Sequence, residues 1–445
     1  MQVFVKSLLG KGQAGELARG SALLLIAKVF GAVSGYVMAF VLTKRGDATA
    51  VGIYELAFTC IILLSVVARF GLDGAIVRYI GVFMANSEVG AVRWLYKKSM
   101  LFSALFSIAL GGIVFLLAPW LSTLFGDDDM TLPFKWAAFA IPFFTLMNMN
   151  AETLRGFKRM VAYSFLQQGT VIFVAAIIFL LWWNPDAVGL SGVKAFFIAS
   201  AVLFLISQLN VGQRFAKISA LVIPRTSFNE VVRVAWPIFL SSSIFMIISW
   251  TDTLMIGYFL DKADVGVYRI AFRISTVITF TQFAINGIAA PMIATHYHKG
   301  DMLGLRKLIH KIGLFNFLFS MPIFLIIIFA PTFLLGLFGQ EYVEGKNILL
   351  MLSFGQVVFA LSGPVMYILT MTKHEKLALY IMYLTAIINL VGNAVLIPAY
   401  GLQGAAIATA FTTFLWNVLA VIAVNRYLGI VSLPFINTLF EKNRK

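Results

Sequence analysis

Runs of about twenty apolar residues recur along the whole of this chain, and no other feature constrains its fold as strongly. A hydrocarbon core about 30 Å thick needs about 20 apolar residues of helix to cross it. By that measure about twelve spans lie at 20–42, 52–71, 99–121, 132–152, 161–183, 190–210, 234–259, 266–293, 312–335, 347–371, 377–397 and 401–425. Backbone groups in hydrocarbon must pair with one another, and helices do so within a single segment. Only 12% of the 445 residues are charged, against about 25% in soluble proteins. The expectation is an all-α polytopic membrane protein. The single cysteine, Cys60, lies inside an apolar run and offers neither a disulfide nor a thiolate metal site. No small-residue cleavage site follows the first apolar run, which reads as a retained span. The preceding Met1–Gly20 mixes Lys6, Lys11, Glu16 and Arg19 with apolar residues and is expected along the interface.

Lysine and arginine set the orientation. With the N-terminus in the cytosol, 24 of them fall in cytosolic segments and only four, Lys44, Arg45, Lys262 and Lys346, on the opposite side. The bias runs through every cytosolic segment and places both termini inside a plasma or inner membrane. It also accounts for the net charge of +15 without nucleic acid as a partner. The opposite loops are short and acidic, as at Asp127–Asp129.

The chain is internally duplicated. Val51–Phe58, reading VGIYELAF, returns at Val265–Phe272 as VGVYRIAF, an offset of 214 residues. Gly71-Leu-Asp-Gly74 is answered by Ala284-Ile-Asn-Gly287, and Ala118-Pro119 by Ala330-Pro331. Gly189-Leu-Ser-Gly192 is answered by Gly401-Leu-Gln-Gly404. The reading is two pseudo-symmetric six-helix lobes, 1–215 and 234–445, joined by a cytosolic linker at 216–233. Six spans per lobe give both halves the same orientation and a substrate site between them, an arrangement of transporters.

Charge inside the spans marks candidate functional residues. Each costs at least about 2.5–3.5 kcal/mol at the bilayer centre, so such side chains face the bundle interior and pair or work. Lys28, Glu55, Asp252, Arg269 and Arg273 lie deep, Arg273 about 12 Å from the outer end of its helix. Lys135, Lys194 and Arg69 lie near helix ends and can snorkel. Arg269 and Arg273 share one helix face, as do Glu55, Thr59, Ile62, Val66, Arg69 and Asp73. The repeat sets Glu55 against Arg269, either as a static ion pair or as a gate holding a closed state. Arg273 and Lys28 would then receive an anion, and a phosphate or diphosphate suits the planar arginine fork. Asp252 is a counter-charge or a protonatable coupling residue.

Other features carry less. His296 and His298 stand two residues apart, a poor metal spacing on a helix. No Gly-rich phosphate loop ends in Gly-Lys-Ser/Thr, so an ATPase is not expected. Short outer loops leave no room for the catalytic domain of a polymerase or ligase.

The paired VGIY and VGVY motifs, the segment Arg69-Phe-Gly-Leu-Asp-Gly-Ala-Ile-Val-Arg-Tyr79 and the turn Tyr400-Gly-Leu-Gln-Gly-Ala405 resemble the polysaccharide-transporter branch of the multidrug/oligosaccharidyl-lipid/polysaccharide exporter superfamily, the branch of the Wzx-type flippases. The resemblance spans about residues 15–428. It implies a V-shaped, MATE-like fold and no enzymatic activity. It implies translocation of a polyprenyl-diphosphate-linked oligosaccharide from the cytosolic to the outer leaflet by alternating access, for O-antigen, exopolysaccharide or capsule assembly. It further implies a central-cavity anion site, onto which Lys28, Arg269 and Arg273 map by position, and work beside a polysaccharide polymerase or chain-length machinery. Glu55, Asp252 and Arg69 are the gating or coupling candidates. No cofactor is expected, while proton or sodium coupling through Glu55 or Asp252 stays open. The alternative is an ion-coupled multidrug or cation exporter of the same fold.

Overall fold

The computed structural model describes residues 13–126, 128–216 and 226–432, with side chains left out at 13–25, 28, 128, 283, 284, 287 and 288. Among the described residues the chain is helical, with short 3-10 turns and no strand. The first half holds α1 (Gln13–Arg45), α2 (Ala48–Arg69), α3 (Leu72–Ala85), α4 (Val89–Leu124), α5 (Thr131–Gly156), α6 (Met160–Phe165), α7 (Gln168–Trp182) and α8 (Val188–Phe215). The second holds α9 (Phe228–Phe259), α10 (Lys262–Thr276), α11 (Phe280–His298), α12 (Met302–Phe329), α13 (Pro331–Gly336), α14 (Lys346–Ser362), α15 (Val365–Met371) and α16 (Glu375–Leu428). Seven helices among the described residues are long and apolar enough to cross a membrane by length and composition alone. The expected spans 377–397 and 401–425 share the one long helix α16, and the span expected at 161–183 is divided between α6 and α7.

Two compact units result. Unit 1 comprises Met1–Met246 with Asp261–Ala263, and unit 2 comprises Ile247–Leu260 with Asp264–Lys445. In unit 1, α5 is the central element and packs on α2, α3, α4 and α8. Its contact with α4 depends on small residues: Ser99, Ser103, Ser107, Gly111 and Ala118 form a fully buried stripe on α4. Small side chains let membrane helices approach closely, and a Cβ on Gly111 would stand 2.7 Å from the Ala138 carbonyl oxygen of α5. In unit 2, α16 packs on α14 and α15. A core of Ile293, Leu305, Ile309, Ile368, Leu369 and Val424 joins α11, α12, α15 and α16.

Several boundaries differ from the sequence reading, each for a local reason. Residues 13–20, expected along the interface, belong to the same continuous helix as the first span; residues 1–12 lie outside the described residues. The stretch after Arg69, expected as a cytosolic connection, is the helix α3. Its Leu72, Ala75, Ile76, Ile80 and Phe83 recur on one face and are buried, the pattern of a surface helix rather than a loop. Phe70 (φ 50°) and Gly71 (φ 73°) make the left-handed bend between α2 and α3, and Phe70 stacks on Phe239 at 5.0 Å. Span eight breaks at the 3-10 turn Val277–Thr279. The Ser320 hydroxyl donates to the Ile278 carbonyl at 2.6 Å and Gln282 donates to the Gly363 carbonyl at 2.8 Å. Such donors make broken helices tolerable at membrane depth.

Helix ends also use the charges that the sequence left unassigned. Lys135 lies over the Phe115 ring at 5.5 Å and Lys194 over Trp136 at 5.4 Å, so both rest on aromatic faces near their helix ends. At the start of α12, Asp301 accepts from the Gly304 backbone N–H and pairs with His296 Nδ1, each at 2.8 Å. These bonds hold its carboxyl below the usual carboxylate range.

The stripe on α4 yields a matched test. Gly111→Leu forces α4 off α5 and lowers stability by about 1–3 kcal/mol. Gly112, with nothing within 4 Å of an added Cβ, tolerates the same change. Thermal midpoints of the two purified variants measure the difference, and equal midpoints would refute the close approach.

Candidate functional site

The densest polar cluster in unit 2 surrounds Asp252, a residue 4% exposed on α9. Three neutral donors converge on its carboxyl group. The Tyr268 hydroxyl of α10 donates to Oδ2 at 2.8 Å, the Thr409 hydroxyl donates to Oδ2 at 2.7 Å, and Asn393 Nδ2 donates to Oδ1 at 3.0 Å. Asn393 also donates to Asn389 Oδ1 at 3.2 Å, and Asn389 donates to the Thr412 hydroxyl at 3.3 Å. The Asn393 carbonyl Oδ1 is buried and has no hydrogen-bond partner, so the cluster holds one more acceptor than its donors serve.

The architecture of α16 makes this cluster possible. Asn393 and Thr409 are 16 residues apart, about 24 Å along a straight helix, yet both touch one carboxyl group. Gly401, at φ 58° and ψ −140°, interrupts the helix between them. Its conformation is one that glycine adopts without steric cost, and it folds the two arms back beside each other. A Cβ on Gly404 would collide with the Leu396 carbonyl, so the return is tight.

The repeat shows that the fold itself does not require this polarity. By the same register, Tyr54 stands for Tyr268 and Met38 for Asp252. At the later offset of 212, Leu181 stands for Asn393 and Phe197 for Thr409. In unit 1 a Cβ on Gly192 would meet the Tyr54 ring at 3.0 Å and Met38 Cε at 3.5 Å, so the tyrosine again borders the residue in the Asp252 position. That position is apolar in one unit and acidic in the other. Buried carboxyls are costly, and a feature that one repeat folds without points to function in the other.

The basic candidates of unit 2 lie on α10, as their spacing requires. Arg269 is 8% exposed, and its guanidinium lies among aromatic rings. It stacks 4.5 Å from the Trp250 ring centroid and 5.5 Å from that of Phe272. Trp250 is two residues from Asp252, so the arginine platform and the carboxyl cage share helices α9 and α10. Arg273 follows one turn later and is half-buried. In unit 1, Glu55 is buried on α2, with Thr59, Ile62 and Val66 buried along the same stripe. Arg69 pairs with Asp73 at 3.1 Å, and its Nε donates to the Ser65 carbonyl at 3.2 Å, clasping the bend between α2 and α3. The side chain of Lys28 lies outside the described residues.

Sequence reading singled out Asp252 but missed its cage. Asn389 and Asn393, four apart in an apolar run, and Thr409 and Thr412, three apart in the next, carried the available signal. A second buried network, in unit 1, was also missed. There Tyr96 donates to Asn150 Oδ1 at 2.8 Å, and Asn150 donates to the Ser207 hydroxyl at 2.7 Å and to Gln208 Oε1 at 3.0 Å.

Helices of this length, a duplicated order and charged residues desolvated among them define a polytopic all-α membrane protein of MATE-like fold. The solved structure of the lipid II flippase MurJ in an inward closed conformation superposes with a TM-score of 0.73, at 14% identity, covering 91% of this chain and 87% of that one. The Vibrio cholerae MATE transporter VcmN superposes at 0.63, with 16% identity and 93% and 97% coverage. At these identities the likeness shows the fold. Residues 17–296 match the family described as polysaccharide biosynthesis protein, and residues 237–395 match the MatE family. The chain belongs to the polysaccharide biosynthesis protein family, the relationship that its motifs implied. An uncharacterized membrane protein of Methanocaldococcus jannaschii is 21% identical over 93% of this chain and 85% of its own length. The probable low-salt glycan biosynthesis flippase Agl15 of Haloferax volcanii is 24% identical over 37% of this chain and 35% of its own.

The cage gives a direct test. Tyr268→Phe removes one of three donors to Asp252 and lowers stability by about 1–3 kcal/mol, read as a lower thermal midpoint of the purified protein. A midpoint equal to wild type would show that this contact contributes nothing.

Proposed function

We propose that this protein is a flippase for lipid-linked glycans, moving a polyprenyl-diphosphate-linked oligosaccharide from the cytosolic to the outer leaflet by alternating access. Its place would be a cell membrane with both chain termini cytosolic, supplying O-antigen, exopolysaccharide or capsule assembly. The observation that carries the reading is Arg269, an arginine desolvated on aromatic faces inside a membrane helix, with Arg273 one turn away. Family membership and the likeness to probable glycan flippases support the substrate class. Arginine forks bind diphosphate oxygens in pairs, and Lys28 adds a third positive charge in the same role. An inside-negative potential favours outward movement of an anion by about 2.3 kcal/mol per charge per 100 mV.

In this reading Asp252 is the coupling residue, with Glu55 and Arg69 as gating partners. The three neutral donors leave the carboxyl able to exchange a proton or a sodium ion. The unserved Asn393 Oδ1 beside it favours sodium, because hard cations gather oxygen ligands. Asp252 also favours a second reading, an ion-coupled multidrug or cation exporter, since Asp252, Tyr268 and Asn393 of its cage lie within the MatE match at 237–395.

Expression in a flippase-deficient strain tests the first reading. Arg269→Ala and Arg273→Ala should each abolish surface polysaccharide at unchanged protein level; normal polysaccharide in both variants would remove these arginines from the mechanism. Resistance to cationic dyes without restored polysaccharide would instead establish the second reading. For coupling, sodium at about 100 times its dissociation constant should stabilise the wild type by about 2.7 kcal/mol over potassium. Asp252→Asn should lose that increment while staying folded, and an unchanged increment would place the ion elsewhere.

A further inference from the structure

Unit 1 carries a basic cleft that the transport reading does not use. Between α6 and the last turns of α8 lies a cavity of about 420 Å³ bordered by Arg159, Asn210, Gln213 and Arg214, with Leu154 and Ala162 as its apolar wall. Arg159 stands immediately before α6, and its backbone N–H is tied to the Leu154 carbonyl at 2.9 Å. The Arg214 guanidinium rests over the Phe157 ring at 5.4 Å, which anchors it at the border of the cleft. Two arginines and the Gln213 amide thus border one concavity, with Asn210, whose Nδ2 donates to the Ile206 carbonyl at 2.9 Å, beside them.

What leads away from the cleft identifies the kind of ligand. On α8 the exposed residues Val202, Leu205, Ile206 and Leu209 follow three- and four-residue steps, one stripe of a helix. The stripe ends at the cleft, where Asn210, Gln213 and Arg214 take over. On α6, Val161 and Phe165 are 63% and 69% exposed, one turn apart, and extend the apolar surface. A polar, doubly cationic pocket that opens onto a long apolar track fits an amphiphile with an anionic head.

We propose that this cleft binds the phosphate-bearing headgroup of an anionic membrane phospholipid, with its acyl chains along the α8 stripe. Arginine forks match phosphate oxygens, and basic pockets between membrane helices bind anionic lipid headgroups. A free phosphate would leave the apolar track unused. A zwitterionic lipid would bring its ammonium against two guanidinium groups. None of Lys28, Glu55, Asp252, Arg269 or Arg273 takes part, so the proposal is independent of the transport mechanism.

Native mass spectrometry of the purified full-length protein provides the test, with phosphatidylglycerol and phosphatidylcholine of identical chains. Phosphatidylglycerol should occupy the protein about tenfold more than phosphatidylcholine at equal concentration. Arg159→Gln combined with Arg214→Gln should erase the preference. Because Arg214 also packs on Phe157, Arg159→Glu at the exposed rim is the second variant, and it should weaken phosphatidylglycerol binding without disturbing the fold. Equal occupancy by the two lipids, or a preference that survives Arg159→Glu, would overturn the proposal. Displacement of phosphatidylglycerol by inorganic phosphate would reassign the cleft to a free anion. Displacement by polyprenyl diphosphate that Arg159→Glu abolishes would reassign it to the transported lipid.

Discussion

A carboxyl group buried among membrane helices persists only where donors are built around it, and much of unit 2 answers that requirement. Asp252 draws on α10 through Tyr268 and on both arms of α16 through Asn393 and Thr409. Those arms reach it because Gly401 breaks the helix between them. A straight 54-residue helix would carry one of the two donors far from the acid. The kink, the polar residues flanking it and the buried acid therefore form one cooperative arrangement, in which losing a member strands the others without partners.

The internal duplication gives this arrangement its meaning. Both units place a buried tyrosine, Tyr54 or Tyr268, at the same point of the repeat. In unit 1 its surroundings include Met38, Leu42 and Gly192, and in unit 2 they include Asp252 and Thr409. One backbone pattern thus supports an apolar version and a polar version of the same packing. Divergence of that kind lets a duplicated bundle keep its fold while one half carries a buried carboxyl group at this position and the other does not. The arginines of α10 belong to the same half, and their stacking on Trp250 and Phe272 replaces hydration with aromatic faces.

Breaks in the helices follow a common rule. Where backbone pairing is interrupted, at Val277–Thr279 or around Gly363, a serine or glutamine from another helix supplies the missing donor. Where helices must touch closely, as α4 does α5, serine and glycine replace larger side chains. Both devices arise from the absence of water as an alternative hydrogen-bond partner. They explain why residues that look unremarkable in an apolar run decide how the helices fit.

Apolar length and helical period fixed much of this protein before any coordinates: membrane helices, the repeat, the exporter-like family and the isolated charges at Glu55, Asp252, Arg269 and Arg273. These are local or periodic properties, and the cost of charge in hydrocarbon makes each exception visible. The α3 helix was less legible, because Asp73, Gly74 and Arg78 stand between its apolar residues in the sequence and break up the apolar run. The Asp252 cage was illegible as a unit, since its members are separated by up to 157 residues and come together only when α16 folds at Gly401. Charge and hydrophobicity are carried by each residue, and so the sequence alone could determine which side chains needed partners. Which partners they obtained depends on how distant helices pack, and only the tertiary structure decided that.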